Sequence, residues 1–175
     1  PTSTAFFGSR YILSDLSQKT VGFDTRMNVT FTPRLTFELY AQPFISSVHF
    51  TRFKQVAAPR TQTLQGFGED VGTVATQLDP ASGRPTNYTI DPDGTGPAAA
   101  FTLGNPDFVT RSLRGNAVLR WEYRPGSTLF LVWTRSGSND EERLGNFDFS
   151  RDLDALFGAK SDNIFLVKMN FWLNR

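Results

Sequence analysis

The 175-residue chain has no cysteine and a single histidine. Disulfide frameworks, thiolate nucleophiles and thiolate metal sites are therefore excluded, and so is a metal centre built from several histidines. A dominant charge is missing too. Eighteen Lys+Arg against 17 Asp+Glu leave a net charge of +1, which removes the usual electrostatic case for nucleic acid as a partner. No run of about 18 apolar residues occurs, so no transmembrane helix is expected. Hydrophobic residues make up only 39%, little for a thick core. What the chain does have is phenylalanine, 17 of them. The period of the pattern says where they go.

From Val21 to Thr32 the odd positions are Val21, Phe23, Thr25, Met27, Val29 and Phe31, and the even ones are Gly22, Asp24, Arg26, Asn28, Thr30 and Thr32. Alternation with period two marks a strand with one apolar and one polar face. Thr32-Pro33-Arg34 is a turn. Leu35, Phe37, Leu39 and Ala41 then alternate with Thr36, Glu38, Tyr40 and Gln42, completing an antiparallel hairpin. The pattern stops between 46 and 106, a stretch rich in Gly, Pro, Thr, Asp and Ala, and returns from Arg111 to Arg124. There Leu113, Gly115, Ala117, Leu119, Trp121 and Tyr123 share one face, and Arg114, Asn116, Val118, Arg120, Glu122 and Arg124 the other. After the turn Pro125-Gly126-Ser127, the strand Thr128–Ser136 is apolar on both faces, so its orientation stays open. A second long connection, 137–163, contains a short helix expected over Arg151–Phe157, with Ser150 as its cap and Gly158 as its end. The last strand, Ile164–Arg175, sets Phe165, Val167, Met169, Phe171 and Leu173 against Lys168, Asn170 and Asn174. A sixth strand is expected within Phe6–Ser14, joined to Val21 by a hairpin over Asp15–Thr20.

Short and long connections thus alternate, and the strands are about 10–14 residues long. Both features suit an all-β, antiparallel up-and-down transmembrane barrel with tight periplasmic turns and long extracellular loops at 46–106 and 137–163. The lipid-facing set is expected to be Phe23, Met27, Phe31, Phe37, Leu119, Trp121, Tyr123, Phe165, Met169 and Phe171. The lumen-facing set is Asp24, Arg26, Glu38, Arg114, Arg120, Glu122, Arg124 and Lys168, because Arg or Lys at mid-depth in hydrocarbon costs about 2–4 kcal/mol. Cations outnumber anions in that set, so an open lumen would favour anions; a salt-bridged, filled lumen is the plainer expectation. About six strands fall short of the eight that a single-chain bacterial barrel needs. The chain therefore reads as the C-terminal portion of a larger barrel, or as one that other chains complete.

Four stretches carry a resemblance: Asp15–Val21 (DLSQKTV), Asn28–Ser47 (NVTFTPRLTFELYAQPFISS), Asn105–Ser136 (NPDFVTRSLRGNAVLRWEYRPGSTLFLVWTRS) and Asp162–Arg175 (DNIFLVKMNFWLNR). In this order they resemble the C-terminal barrel region of a bacterial outer-membrane β-barrel family of unknown function. In that family the barrel follows a domain like carbohydrate-binding module family 9. The resemblance implies a Gram-negative-type outer membrane, a preceding N-terminal portion and an association with carbohydrate; it supplies no catalytic residue.

The remaining candidates are local. Asp91-Pro92-Asp93-Gly94-Thr95-Gly96 has the alternating oxygens of a calcium loop, with Asp91, Asp93 and Thr95 as ligands; its plainer reading is a turn-rich outer loop, and no other cofactor is indicated. Glu38 and Glu122 are the carboxylates an acid/base pair would use, but charged interior residues are ordinary in barrels and no enzyme is expected. His49 has no recognisable Ser or Asp partner in the sequence and reads as a surface residue. Gly66-Phe67-Gly68 lacks the strand–helix context of a phosphate loop. The expected function is a structural wall with outer loops, a channel or anchor for solute or polysaccharide handling, with outer-membrane lipid as its partner. The alternatives are a soluble secreted β-sheet binding protein, since a sandwich strand also buries one face, and an outer-membrane enzyme.

Overall fold

A computed structural model describes Ser3 and residues 6–173. Asn174 and Arg175, assigned above to the last strand, lie outside the described residues. Ten strands and one helix follow in chain order: β1 (Ile12–Gly22), β2 (Thr25–Thr32), β3 (Leu35–Val56), β4 (Leu64–Gly66), β5 (Thr73–Leu78), β6 (Pro85–Asp91), β7 (Phe101–Gly104), β8 (Phe108–Arg124), β9 (Ser127–Glu142), α1 (Phe149–Gly158) and β10 (Ser161–Asn170). The larger sheet runs β1-β3-β8-β9-β10, with β2 and β4 also paired to β3. It is an open antiparallel sheet with β1 and β10 as its edges, not a closed barrel.

The alternating stretches are strands, and both short turns are where the sequence puts them. Pro125 and Gly126 connect β8 to β9. Gly126 has φ +77°, the conformation a type II turn demands after proline. Elsewhere the strands run further than the alternation shows. No separate strand lies at Phe6–Ser14 and no hairpin at Asp15–Thr20: residues 12–22 are one strand. After a break at Phe23-Asp24 the same edge resumes as β2, whose ladder with β3 runs from Thr25↔Ala41 to Thr32↔Leu35. Across the break the Phe23 N–H donates to the Pro43 carbonyl at 3.1 Å. The sixth strand thus merges into the first, and five strands remain along the path of the larger sheet.

Residues 46–106, expected as a loop, contain the end of β3, then β4, and a three-stranded sheet β5-β6-β7. In the second connection β9 continues to Glu142 and β10 begins at Ser161. The helix is two residues longer at its start than expected. Its cap is Asp148, not Ser150: the Asp148 carboxylate accepts the Arg151 N–H at 2.9 Å, and Asp152 returns a bond to the Asp148 N–H at 2.9 Å.

The chain divides into two compact units. The first comprises Pro1–Lys19, Ser47–Val109 and Glu141–Asn146. Its core is Phe53, Phe67, Tyr88 and Ile90, packed with Ile12, Phe50, Val71, Val74, Phe101 and Leu103. Burying each such side chain contributes about 1.5–3 kcal/mol. The second comprises Thr20–Ser46, Thr110–Asp140 and Phe147–Arg175. Its buried apolar residues are Ile45, Leu156 and Ala159, at or beside α1, where Leu153 and Leu156 close a small apolar cavity with Val21, Phe44 and Ile45.

Candidate functional site

The second unit presents a sheet with two chemically opposite faces. On one, Arg26, Asn28, Glu38, Tyr40 and Asn116 line an open groove of about 240 Å³. The register explains this, since Arg26 faces Tyr40 and Asn28 faces Glu38 across the β2–β3 ladder. The Arg26 guanidinium lies 5.5 Å from the Tyr40 ring centroid. Asp24 accepts hydrogen bonds from Gln42 at 2.8 Å and Tyr40 at 3.4 Å. Further along β8, Arg120 approaches Glu122 at 3.9 Å, and the Glu122 carboxylate accepts the Gly126 N–H at 3.0 Å. Arg114 and Arg124 are exposed at alternate positions of the same strand. The Glu122 carboxylate is thus held at the turn, while Glu38 sits opposite Asn28.

The orientation of β9 is now fixed. The Asn116 side-chain amide donates to the Thr134 hydroxyl at 2.9 Å, and that of Asn170 to the Thr128 hydroxyl at 3.2 Å. The Lys168 ammonium lies 5.9 Å from the Phe130 ring centroid. Thr128, Phe130, Val132 and Thr134 therefore join the polar face. Leu129, Leu131 and Trp133 join the apolar one, opposite Met169, Val167 and Phe165 respectively.

Away from α1, whose Leu153 and Leu156 lie beside Val21, Phe23 and Ile45, that apolar face is uncovered. Phe23, Met27, Phe31, Trp121, Phe165, Met169 and Phe171 are exposed, Phe165 by 75%; Phe37, Leu119 and Tyr123 are half-buried. Tyr123 packs edge-on against Trp121 at 6.1 Å and Phe171 at 6.4 Å, and Trp133 stacks on Phe165 at 6.4 Å.

The most buried charges lie beside α1, where no local pattern signals them. Arg111 and Asp152 are both fully buried. Arg111 donates through Nε and Nη2 to Asp152 Oδ1 at 3.1 and 2.6 Å, and through Nη1 to Asn139 at 2.8 Å. Arg151 adds bonds to the same carboxylate. Burial alone would push the Asp152 carboxyl up; the Arg111, Asp148 and Arg151 donors outweigh it and hold the pKa below the ordinary carboxylate value.

In the first unit His49 is exposed, as expected, but it is not without a partner. Its Nδ1 lies 2.7 Å from Asp107 Oδ2. Asp107 is 5% exposed, and four contacts hold it: its carboxylate meets the His49 ring and accepts the Phe50 N–H at 2.8 Å, its own N–H donates to Asn105 Oδ1 at 3.0 Å, and its carbonyl accepts the Arg143 N–H at 2.6 Å. Gly145 closes over the pair; a Cβ there would sit 2.6 Å from both Asp107 Oδ2 and His49 Nδ1. The two partners are 58 residues apart in the chain, which no local motif signals.

The calcium-loop residues are spent on their own turn. Asp91 Oδ1 accepts the Gly94 N–H at 2.9 Å, Asp93 Oδ2 accepts the Ala98 N–H at 2.9 Å, and Thr95 is exposed. Among the described residues no group of three or more His, Asp or Glu is placed to hold a metal. Phe67 of the Gly66-Phe67-Gly68 stretch is a core residue. Compared with family models, curated proteins and solved structures, the chain matches none.

Proposed function

We propose that this chain forms part of the wall of a bacterial outer-membrane β-barrel, with its first unit built largely from the long connections. One observation carries the reading: a single sheet leaves an apolar face of Phe, Trp, Met and Leu uncovered while the opposite face holds charges of both signs. Water suits the second face and not the first. Hydrocarbon outside and a wet, hydrogen-bonded interior suit both. The aromatic cluster Trp121–Tyr123–Phe171 beside the β8–β9 turn gives the rings that interfacial girdles use.

The free edges of β1/β2 and β10 would leave backbone groups unsatisfied in lipid. An antiparallel barrel has an even number of strands, and five are present. An odd number of further strands, at least three, completes the wall. Two copies of the chain would instead bring β10 beside β1 in parallel. The role is structural, as a channel wall or anchor; carbohydrate association belongs to the resemblance alone.

The test is reconstitution of the full-length protein into phospholipid vesicles. Carbonate-resistant membrane association and heat-modifiable gel mobility are the expected results. A chain that stays monodisperse in detergent-free buffer and ignores vesicles is a soluble secreted sheet protein, and the proposal fails.

A further inference from the structure

The first unit holds an open cleft of about 370 Å³, lined by His49, Thr51, Phe53, Phe67, Glu69 and Tyr88 among others. The barrel reading makes no use of it. Its chemistry follows from the dyad. A carboxylate offers no proton to an imidazole, so the Nδ1 of His49 that faces Asp107 must carry the hydrogen. In the neutral ring the other nitrogen, Nε2, is then a fixed acceptor. The imidazole is half exposed, at 46%, while the carboxylate that orients it is buried. Orientation of a half-exposed ring by a buried carboxylate, itself held by the Phe50 N–H and by two bonds of the Asp107 backbone, is the arrangement that positions an imidazole for a ligand.

The second polar group is Glu69, which is exposed and makes no ion pair among the described residues. Arg52 also lines the cleft, but its guanidinium is bound to Asp15, which takes Lys54 Nζ at 2.6 Å as well. Beside the Thr51 and Thr76 hydroxyls, which both donate and accept, the cleft offers two groups that only accept, His49 Nε2 and the anionic Glu69, over an apolar floor of aromatic side chains. Anions meet no uncommitted cation there. We infer that this cleft binds a small hydroxylated amine with an apolar ring. The ammonium pairs with Glu69, the hydroxyl donates to His49 Nε2, and the ring lies on the floor made by Phe53, Phe67 and Tyr88. The volume suits one ring and a short side chain.

His49 is the only histidine, so its ring nitrogens report the site without assignment ambiguity. The full-length protein is titrated at pH 8 with tyramine, and the imidazole nitrogen resonances are followed. A saturable shift of Nε2 at concentrations up to about 10 mM, a range that reaches weak, millimolar binding, is expected, with Nδ1 protonated throughout. Glu69→Gln weakens the affinity about tenfold, as the loss of one charge-assisted bond does. Phenethylamine, lacking the hydroxyl, binds more weakly and moves Nε2 less. 4-Hydroxyphenylacetate, with the charge reversed, gives no saturable shift. The inference is overturned if tyramine produces no saturable change, if the acid binds as well as the amine, or if Glu69→Gln leaves the affinity unchanged while its amide spectrum shows the first unit folded. None of these outcomes bears on membrane insertion, so the cleft and the wall stand or fall separately.

Discussion

The two units of this chain treat the same residue type in opposite ways. In the first, Phe53 and Phe67 are 6% and 5% exposed, and Phe53 packs on Tyr88 at 4.8 Å between centroids. In the second, Phe23, Phe31, Phe165 and Phe171 are all at least 60% exposed. The first unit solves the hydrophobic problem as any water-soluble domain does, with β5-β6-β7 supplying Tyr88, Ile90, Phe101 and Leu103 to a core it shares with Phe50 and Phe53 of β3. In the second, α1 lies beside Val21, Phe23 and Ile45, and the exposed rings have no such layer. Its apolar side chains alternate with ionic ones, so burying one face in protein would still leave a charged face needing water. Exposed aromatic area on this scale marks a surface meant for another medium or another molecule.

The strongest way to break the comparison is to remove the core that distinguishes the first unit. Phe53→Ala deletes a buried ring, a change that typically costs about 3–5 kcal/mol. Limited proteolysis should then open residues 57–107 while the vesicle association carried by the second unit persists. If association is lost together with the core, the two units are energetically one and the contrast is wrong.

A second, smaller effect tests the faces. Ala117 and Asn116 are neighbours on β8, and Asn116 bonds to Thr134 on the polar face. Ala117→Arg should cost about 2–4 kcal/mol in a bilayer if it lies near mid-depth. Asn116→Arg, on the polar face, should cost far less. Urea unfolding from vesicles measures both. Equal costs would remove the argument for lipid on one side.

Much of this was legible in the sequence because period two needs no long-range information. Strand positions from Thr25 to Ala41 and from Arg111 to Arg124, both tight turns, and the sorting of Arg26, Glu38 and Asn116 away from Met27 and Trp121 all came from alternation. What escaped has a common cause. The β1/β2 break at Phe23-Asp24 keeps the alternation intact across it, so a missing rung leaves no trace in the pattern. The small sheet of β5–β7 is built from Thr, Asn and Gln between turns, a composition that reads as loop until Tyr88 and Ile90 find partners. His49–Asp107 and Arg111–Asp152 join residues 58 and 41 apart; chemistry assembled by folding leaves no spacing to read. The strand Thr128–Ser136 was undecidable for a simpler reason, since Phe130 and Val132 put apolar groups on the polar face.

Acidification sharpens the comparison further. The Asp152 pKa is depressed in the fold. A carboxyl of this kind stabilises the native state at pH values above its unfolded pKa, and that contribution is lost as pH falls through the folded value. Below about pH 4, the ordinary carboxylate range, α1 should begin to loosen; in the first unit the Asp15 carboxyl, likewise held low by Lys54 and Arg52, is exposed to the same loss. Hydrogen exchange measured from pH 6 down to pH 2, corrected for intrinsic rates, should show protection falling first in Phe149–Gly158. Unchanged protection of the helix down to pH 2 would mean that the buried pair contributes nothing to holding it.

The smallest effect isolates the helix from its ion pair. Asp148→Ala removes the acceptor for the Arg151 N–H, a loss that costs about 0.5–2 kcal/mol at an N-cap. Because the Asp152 backbone N–H still donates to the Asp148 carbonyl at 2.9 Å, the helix should fray at its first turn and not detach. Arg111 keeps its two bonds to Asp152, so the acid transition should stay at the same pH while its amplitude rises in residues 149–151. A shift of the whole transition to higher pH would instead mean that cap and ion pair act as one network.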